Sequence, residues 1–375
     1  MTITKGLEGI VATTSSISSI IDGVLTYRGI DIDELAEKAT FEEVIYLLWF
    51  GKLPNQSELN QLQSDLNANT AIPQAVVEQM KLYPKDTNSM AALRTAVSSL
   101  ALYDKDANNM SKEANILKAI KLQAQIPTII AAFARIREGK EPVAPRKNES
   151  GKQVSIAANF LYMLTEQEPE KVAIEALDQA LVLHADHELN ASTFAARVTV
   201  ATLSDIYSGI TSAIGALKGP LHGGANEAVM AMLEDIGSLD KVEAFVNKKL
   251  ENKEKLMGFG HRVYKNGDPR AKHLQKMSRA LGEITGNMKW YDMSIKIEEM
   301  VTSLKGLKPN VDFYSASCYT SLNIPRDLFT PIFAISRTSG WAAHILEQYE
   351  NNRLIRPRAE YVGPSNQSYI PISKR

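Results

Sequence analysis

The stretch LFTPIFAISRTSGWAAHILEQY, residues 328–349, predicts a long and strongly apolar helix. Its apolar side chains recur at the three- and four-residue spacing of an α-helix. Arg337 stands out near the middle of this run, because a guanidinium held among apolar side chains needs an anionic partner. That partner is either a structural carboxylate or a bound acid, and the residues alone leave both alternatives open.

The same helical spacing continues outward along most of the chain. Thr40 and Glu43 have capping-box spacing at the start of one helix, and seven further segments show the apolar period. These segments lie near 111–138, 156–164, 170–187, 191–217, 225–235, 270–282 and 297–304. Near the N-terminus, two short extended runs joined by Asp22-Gly23 predict a β-hairpin. The sequence therefore predicts an all-α fold with a small N-terminal β-hairpin.

The composition is that of an ordinary globular chain. Of its 375 residues, 44% are hydrophobic and 23% are charged, and the net charge is −1, which gives no general attraction to nucleic acid or to an anionic membrane. No apolar run approaches the roughly 20 residues of a membrane helix, and the N-terminus lacks the features of a secretory signal. The single cysteine, Cys318, excludes an intrachain disulfide. We expect a cytoplasmic enzyme of two domains or one large unit.

The histidines, all at or beyond position 184, carry the main chemical signal. His222 lies in GPLHGGAN and His261 in GFGHRVYKNGDPR, and a histidine in a glycine-rich break has few neighbours to pack against, which favours contact with a ligand. His184 and His187, in HADHELN, are predicted to share one face of a helix end; their spacing suits zinc, but no third ligand is near in sequence. Ordinary packing is the alternative for all four. The other two lie within helical patterns and are expected to be structural: His273 and His344.

Asp312 is the carboxylate that stands out. It lies in KPNVDFYSAS, where Pro309 and Asn310 interrupt the chain and VDFYS is predicted to be a short extended piece. Burial beside aromatic residues would raise the pKa of Asp312 and suit it to general-base catalysis, whereas an N-cap for the following helix is the alternative. Nothing near Cys318 activates its thiol, so we expect a small buried hydrophobe there. These residues indicate an enzyme for a polycarboxylate without naming its reaction.

Four motifs in order resemble the citrate synthase family in its short bacterial form. They are HADHELNAS, GPLHGGAN, GFGHRVYK followed by DPRA, and PNVDFYSA, and the resemblance extends over the whole chain. It implies condensation of acetyl-CoA with oxaloacetate, followed by hydrolysis of citryl-CoA to citrate and CoA. Two alternatives remain. The family member 2-methylcitrate synthase takes propionyl-CoA with the same catalytic residues, and a non-catalytic helical dimer would have no need of them.

The resemblance assigns a role to individual residues. Asp312 would take a proton from the acetyl methyl group while His222 hydrogen-bonds the thioester carbonyl, and His261 would donate to the oxaloacetate carbonyl. For a neutral His222 to donate, its other nitrogen must accept a hydrogen bond, which a backbone amide can supply. Further contacts are expected with oxaloacetate (His187, Arg270, Arg337 and, from the neighbouring subunit, Arg356) and with CoA (Arg262, Lys265 and Lys305). No metal ion, cofactor or covalent enzyme intermediate is implied.

The resemblance also implies two helical domains and a dimer. We expect a large domain from 1–221 and 318–375 and a small one from 222–317, whose closure would assemble the catalytic residues and exclude water. The last twenty residues contain three prolines and no helical period, so they would form an arm that carries Arg356 to the partner. The chain begins almost directly at the hairpin, without the extra domain that accompanies hexamers and NADH inhibition in longer relatives. A homodimer without that control, and without nucleic-acid or membrane partners, is therefore expected.

Overall fold

The computed structural model describes residues 5–7, 9–146, 153–261, 263–264 and 267–375. Within these residues, sixteen α-helices and three short strands form the regular structure, which confirms the predicted all-α fold. The strands are β1 (Ser18–Ile21), β2 (Val24–Tyr27) and β3 (Ile30–Asp31). The helices are α1 (Ile32–Lys38), α2 (Phe41–Phe50), α3 (Gln56–Ala68), α4 (Gln74–Lys81), α5 (Ser89–Leu100), α6 (Lys112–Arg137), α7 (Ile156–Thr165), α8 (Lys171–His184), α9 (Ala191–Val200), α10 (Ile206–Leu217), α11 (Ala225–Ile236), α12 (Val242–Glu251), α13 (Ala271–Thr285), α14 (Lys289–Lys305), α15 (Val311–Ser321) and α16 (Phe329–Glu350).

The N-terminal strands form an antiparallel sheet in the order β1-β2-β3. Asp22 and Gly23 turn the chain between β1 and β2 with φ angles of 52° and 82°, the positive values that a tight hairpin turn requires. The predicted hairpin is confirmed, and β3 extends it by one strand. Just before β1, the amide of Ser16 donates to Glu347 Oε1 at 2.8 Å, so the start of the chain is tied to the end of α16.

Helix α16 is the centre of the core, as its apolar sequence predicts. Every residue from Phe329 to Ile345 is buried, and side chains of neighbouring helices donate hydrogen bonds to its carbonyl groups. Gln123 on α6 donates to the carbonyl of Ile335 at 2.9 Å, and the Trp49 indole on α2 donates to the carbonyl of Ser339 at 2.9 Å. These bonds fix neighbouring helices against α16.

Helix α6 also lies in the core. Among the described helices it alone is long and apolar enough to cross a membrane, but 78% of its most apolar 18-residue window is buried inside the fold. An apolar helix buried against its own chain is typical of the centre of a globular protein.

Two predicted segments have a different structure. The helix predicted over 191–217 is two helices, because the Asp205 side chain accepts from the Ser208 amide at 2.9 Å and starts α10 as a new helix. The extended piece predicted at VDFYS is wrong: Asn310 accepts from the Asp312 amide at 3.1 Å and caps α15, so these residues are helical. The N-cap alternative for Asp312 is therefore also wrong, since Asn310 holds that position.

The predicted division into two domains stays a prediction. Its first boundary, at residues 221 and 222, falls in the turn between α10 and α11, and its second falls inside α15, which continues to Ser321. The tail after α16 has no regular structure apart from one 3-10 turn at Ile372–Lys374, and residues 356–375 are all exposed. This agrees with the expectation that the tail has no core of its own.

Replacing Gly340 by alanine should destabilise the protein. A Cβ atom at this position of α16 would lie 2.5 Å from Asp186 Oδ1 and closer still to the carbonyl oxygen of Ala185, so one of these segments must move. Overpacking of this kind costs about 1–3 kcal/mol. Urea unfolding measures the loss directly.

The control is Gly215→Ala on α10, where the nearest atom to an added Cβ is Arg94 Cδ at 3.8 Å. There we expect a gain of up to about 1 kcal/mol, because alanine favours the helix. If both substitutions change the free energy of unfolding equally, the close approach of residues 185 and 186 does not prevent a larger side chain at position 340.

Candidate active site

The segment HADHELN forms the end of α8 and the loop that follows. Helix α8 ends at His184, and His187 lies beyond it, so the prediction that the two share a helix face is wrong. His184 is fully buried and its Nδ1 donates to the carbonyl of Ala180 at 2.7 Å. Burial lowers the pKa of His184 to about 3, so the ring is neutral and structural. His187 faces the site instead.

The N-terminal sheet fixes the loop that carries His187. The Ser18 hydroxyl on β1 donates to Asp186 Oδ2 at 2.5 Å and accepts from the Glu188 amide at 2.9 Å. Glu188 Oε1 in turn accepts from the Ile20 amide at 2.6 Å. Because these bonds flank residue 187 on both sides, β1 determines where the His187 ring can lie.

His222 lies in the tight turn between α10 and α11. Its amide donates to the Gly219 carbonyl at 2.9 Å, and the Gly223 amide donates to the Leu217 carbonyl at 3.0 Å. A Cβ atom on Gly223 would lie 2.5 Å from that carbonyl oxygen, so only glycine fits at this position. The glycine-rich motif therefore serves close backbone packing directly beside the histidine.

The hydrogen bonds of His222 define its protonation state. The Ser192 amide donates to His222 Nε2 at 3.3 Å, and the Ser192 hydroxyl lies 2.8 Å from the same nitrogen. Burial and then Arg337 lower the pKa of His222 to about 4. The ring is thus neutral with its proton on Nδ1, which has no partner in the part of the chain that the structure describes. The expected backbone amide donor is confirmed.

The loop that carries His261 is paired with the loop that leads to Asp312. Phe259 and Pro309 form an antiparallel bridge, and the Gly260 amide donates to the carbonyl of Lys308 at 3.0 Å. The Asn310 amide donates to the Gly258 carbonyl at 2.8 Å. Two motifs about fifty residues apart in sequence are thereby held side by side.

His261 is also neutral, with the opposite tautomer. Its Nδ1 accepts from the amides of Val263 at 3.1 Å and Tyr264 at 3.3 Å, which leaves the proton on Nε2. Burial, followed by the charge of Arg270, lowers the pKa of His261. His222 and His261, which the sequence analysis expects to be catalytic, can therefore both donate a hydrogen bond while uncharged.

Asp312 lies in the first turn of α15, and no described residue donates a hydrogen bond to its carboxylate. Burial raises the pKa of Asp312 to about 7; Arg270 and Arg337 oppose that rise and Asp268 adds to it. A carboxylate without donors is a stronger base than a solvated one, as proton abstraction from carbon requires. The expected raised pKa is confirmed.

Arg270, at the start of α13, is fully enclosed and paired with Asp268. Its Nε lies 2.9 Å from Asp268 Oδ1 and its Nη2 lies 2.8 Å from Oδ2, and this pairing raises the pKa of Arg270 although burial opposes it. Asp268 Oδ2 also accepts from the Val311 amide at 3.0 Å, which ties the guanidinium to the start of α15. Arg270 Nη1 has no partner among the described residues and remains for a substrate.

Arg337 is held in place by uncharged groups. Its Nε donates to the His184 carbonyl at 2.7 Å, and its guanidinium carbon lies 4.7 Å from the centre of the Phe333 ring. Burial lowers the pKa of Arg337 to about 10, so it stays charged at neutral pH. Its two terminal nitrogens have no hydrogen-bond partner among the described residues. Of the two alternatives left open by the sequence, a bound acid now has the stronger support.

Tyr264 and Asp268 complete the site and were missed in the sequence. The Tyr264 hydroxyl lies 3.0 Å from His187 Nε2, and the ring centres of His187 and His261 lie 5.2 Å apart. Burial lowers the pKa of His187 well below its usual value, with further lowering by Arg270. The sequence Asp-Pro-Arg did contain a signal for Asp268. In such a turn, the aspartate carboxylate can accept hydrogen bonds from both the amide and the guanidinium of the arginine two residues later.

The remaining histidines have structural partners, as expected. His273 Nε2 lies 2.6 Å from Asp33 Oδ1. His344 Nδ1 accepts from Arg197 at 2.9 Å, and its Nε2 lies 3.2 Å from Asp186 Oδ2, beneath the His187 loop.

Some predicted residues are not brought to this site. Arg356 lies in the exposed tail, and Lys305 is exposed at the end of α14. Arg262 and Lys265 lie outside the described residues. Lys308 lines a cavity of about 240 Å³ beside Asp268 and is a basic residue that the sequence analysis did not select. Among the described residues, no group of three or more metal-ligating side chains is present, and the absence of a metal stays a prediction.

Comparison with known proteins places this geometry in context. A family model described as citrate synthase, C-terminal domain, matches residues 6–358. The chain is 63% identical to citrate synthase 2 of Bacillus subtilis over the full length of both chains. It is 42% identical to 2-methylcitrate synthase 1 of Corynebacterium glutamicum, covering 100% of this chain and 98% of that one.

Two solved structures have the same fold. Citrate synthase from Pyrobaculum aerophilum has a TM-score of 0.92 at 42% identity, covering 100% of this chain and 95% of that one. The ternary complex of carboxymethyl coenzyme A and oxaloacetate with citrate synthase from Thermoplasma acidophilum has a TM-score of 0.92 at 35% identity, with both chains covered in full.

The fold and these likenesses define an acyltransferase. The chain belongs to the citrate synthase family. The expectation of citrate synthase activity is confirmed over its alternative within the family, since the 2-methylcitrate synthase relative is more distant, at 42% against 63% identity.

Replacing Asp312 by asparagine should stabilise the protein at alkaline pH. The folded pKa of Asp312, about 7, is above its ordinary value of 3.8, so ionisation opposes folding: the carboxyl costs nothing at pH 4, and stability is lost as the pH rises toward 7. About three pKa units correspond to roughly 4 kcal/mol, the upper limit of the gain expected for the neutral asparagine above pH 8. Urea unfolding from pH 4 to pH 8 measures it.

Asp327→Asn is a control of opposite sign. Asp327 is paired with Arg137 and Ser89, which hold the pKa of Asp327 below its usual value although burial opposes them. Its contribution is present above the unfolded pKa and lost as the pH falls, so this variant should be destabilised at neutral pH. An Asp312→Asn variant with the same pH dependence as the wild type would contradict the assigned environment.

Proposed function

We propose that this chain condenses acetyl-CoA with oxaloacetate through Asp312, His222 and His261. A single observation carries this proposal: the buried charges of Arg270 and Arg337 both act on Asp312, which has no hydrogen-bond donor among the described residues, and the same charges act on two neutral histidines with fixed tautomers, Arg337 on His222 and Arg270 on His261. A thioester methyl group is a very weak carbon acid, so Asp312 can remove its proton only if the enolate oxygen is stabilised as it forms. His222 Nδ1 supplies that hydrogen bond.

His261 Nε2 then donates to the oxaloacetate carbonyl, which polarises it as the new carbon–carbon bond forms. Because both histidines are neutral, neither needs to lose a full positive charge during the reaction. Hydrolysis of the citryl thioester to citrate and CoA completes the proposed sequence. In that step Asp312 would activate a water molecule and His222 would stabilise the same thioester oxygen again.

The oxaloacetate carboxylates would be bound by buried arginines. Arg337 offers both terminal nitrogens, and Arg270 offers Nη1 while Asp268 holds the rest of its guanidinium. Planar guanidinium groups bind carboxylates two bonds at a time. His187, between these two charges, would hydrogen-bond the same substrate, as the resemblance implies.

The CoA contacts are proposed by position only. Arg262 and Lys265 follow His261 in sequence, and Lys305 is the last residue of α14, seven residues before Asp312. The described neighbour Lys308 adds a basic group at the His261 loop, since the Lys308 carbonyl accepts from Gly260. These basic side chains would attract the phosphate groups of CoA to this side of the site.

We propose a cytoplasmic homodimer in which Arg356 completes the site of the neighbouring subunit. The single chain exposes large apolar side chains that a partner could cover, among them Leu82 at 84%, Leu102 at 81% and Val362 at 90% exposure. The tail that carries Arg356 makes no core of its own. A third arginine would match the two carboxylates of oxaloacetate together with the charge that develops on condensation.

The enzyme should release free CoA thiol when oxaloacetate and acetyl-CoA are mixed with it. Excess chelator should leave the rate unchanged, because no metal is proposed.

The rate should fall as the pH drops below about 7, where Asp312 is protonated, while His222 stays neutral down to about pH 4. A faster rate with propionyl-CoA would favour 2-methylcitrate synthesis, and a rate lost on chelation and restored by zinc would contradict the metal-free mechanism.

The shared site predicts complementation between two inactive variants. His222→Ala removes the enolate donor and Arg356→Ala removes the partner's carboxylate ligand, so each homodimer should be nearly inactive, with a loss of about 2–5 kcal/mol in transition-state stabilisation. A mixed dimer has one site with both lesions and one with neither. Re-pairing should therefore restore activity toward half of wild type per mixed dimer.

Arg353→Ala is the matched control, because Arg353 is another exposed arginine at the start of the same tail. Its homodimer should keep wild-type turnover. If mixed dimers of His222→Ala and Arg356→Ala are confirmed by native mass spectrometry yet remain as inactive as their parents, Arg356 does not act across the dimer.

A further inference from the structure

Tyr264 touches three of the residues assigned to the substrate. Its hydroxyl lies 3.0 Å from His187 Nε2, its amide donates to His261 Nδ1 at 3.3 Å, and its ring centre lies 5.9 Å from the Arg270 guanidinium carbon. The residue is 4% exposed. No other described residue contacts the His187 ring, the His261 ring and Arg270 together.

The Tyr264 hydroxyl affects how many hydrogen-bond donors the neutral His187 can offer to a substrate. Oxaloacetate presents only hydrogen-bond acceptors, whereas a neutral imidazole carries a single N–H group. A hydroxyl can donate one hydrogen bond and accept two. Whichever of the two groups donates in the His187–Tyr264 bond, one N–H or O–H remains for the substrate.

We propose that Tyr264 is a positioning residue for oxaloacetate that acts through His187. Its hydroxyl fixes the orientation of the His187 ring, and its ring keeps His187, His261 and Arg270 in one cluster. The proposal rests on the proposed function in that oxaloacetate is the ligand. It adds a residue to which neither the sequence motifs nor the catalytic mechanism assigned a role.

The geometry separates this role from ordinary core packing. The edge-on contact of the Tyr264 and His187 rings, with centres 5.5 Å apart, would be kept by phenylalanine, as would the 4.6 Å contact with the His261 ring. Only the bond from Oη to Nε2 would be lost. Tyr264→Phe therefore isolates the hydroxyl and leaves the aromatic cluster in place.

The experiment measures oxaloacetate binding by calorimetry without acetyl-CoA, and steady-state kinetics with both substrates. Tyr264→Phe should weaken oxaloacetate binding and raise its KM about tenfold, the size expected for one hydrogen bond. The acetyl-CoA KM should stay within twofold, and kcat should change less than the oxaloacetate KM. The ¹⁵N resonances of the His187 ring should shift, because Nε2 loses its hydrogen-bond partner.

The matched control is Tyr207→Phe on α10. It removes a buried hydroxyl that donates to Asp104 Oδ2 at 2.5 Å. It should lower the melting temperature without changing the oxaloacetate KM. A double-mutant cycle with His187→Asn gives the decisive outcome: if Tyr264 acts through His187, Tyr264→Phe should have little further effect in that background.

Two results would overturn the proposal. One is oxaloacetate binding by Tyr264→Phe within twofold of wild type, with unshifted His187 resonances. The other is full additivity with His187→Asn. A wild-type protein that does not bind oxaloacetate would contradict the proposed function instead, so the two failures are distinguishable.

Discussion

The burial of Arg337 in the middle of α16 constrains the rest of the site. A charged guanidinium in a core helix is costly unless its charge is compensated, yet its direct protein contacts are the His184 carbonyl and the Phe333 ring. Asp186 and Asp312 act on it only through their charges. The two terminal nitrogens, which have no partner among the described residues, therefore suit an anionic substrate. The His184 carbonyl that holds Arg337 directly precedes residues 185 and 186, which approach Gly340 closely.

The groups proposed to act in catalysis are arranged before any substrate arrives. Backbone amides accept no hydrogen bonds, so by donating to His222 and His261 they fix which nitrogen of each ring carries the proton. Such fixed donors need no rearrangement during the reaction, which is the basis of electrostatic catalysis. The cost appears at Asp312, whose carboxylate has no donor within the described part of the chain and destabilises the fold when it ionises. Stability and reactivity are thus opposed at a single side chain.

The sequence predicted the helical fold and the main site residues because both depend on local patterns. Apolar periodicity revealed α6, α8 and α16, and Asp-Gly revealed the hairpin. Glycine-rich breaks identified His222 and His261, since a close backbone contact such as that at Gly223 admits no other residue. Arg337 was recognised because a charge in an apolar run demands an explanation.

What the sequence could not show depends on contacts between distant segments. The residues VDFYS have similar local preferences for an extended and a helical structure, and the cap by Asn310 makes them helical. Likewise, the apolar period over 191–217 is continuous in sequence, but the cap by Asp205 divides it into two helices. The pairing of Tyr264 with His187 spans 77 residues and leaves no periodic trace. Asp268, the partner of Arg270, lies only two residues away in sequence, but its role depends on the geometry of the turn that joins them.

The bond between Ser16 and Glu347 joins groups separated by 331 residues. During synthesis Ser16 emerges early, but its partner Glu347 on α16 is added only 331 residues later. At about 5–20 residues per second, this interval is roughly 15–65 seconds. The edge of β1 that later holds the His187 loop waits for a shorter time, because its partners Asp186 and Glu188 lie 168 residues beyond it, roughly 8–34 seconds at the same rate.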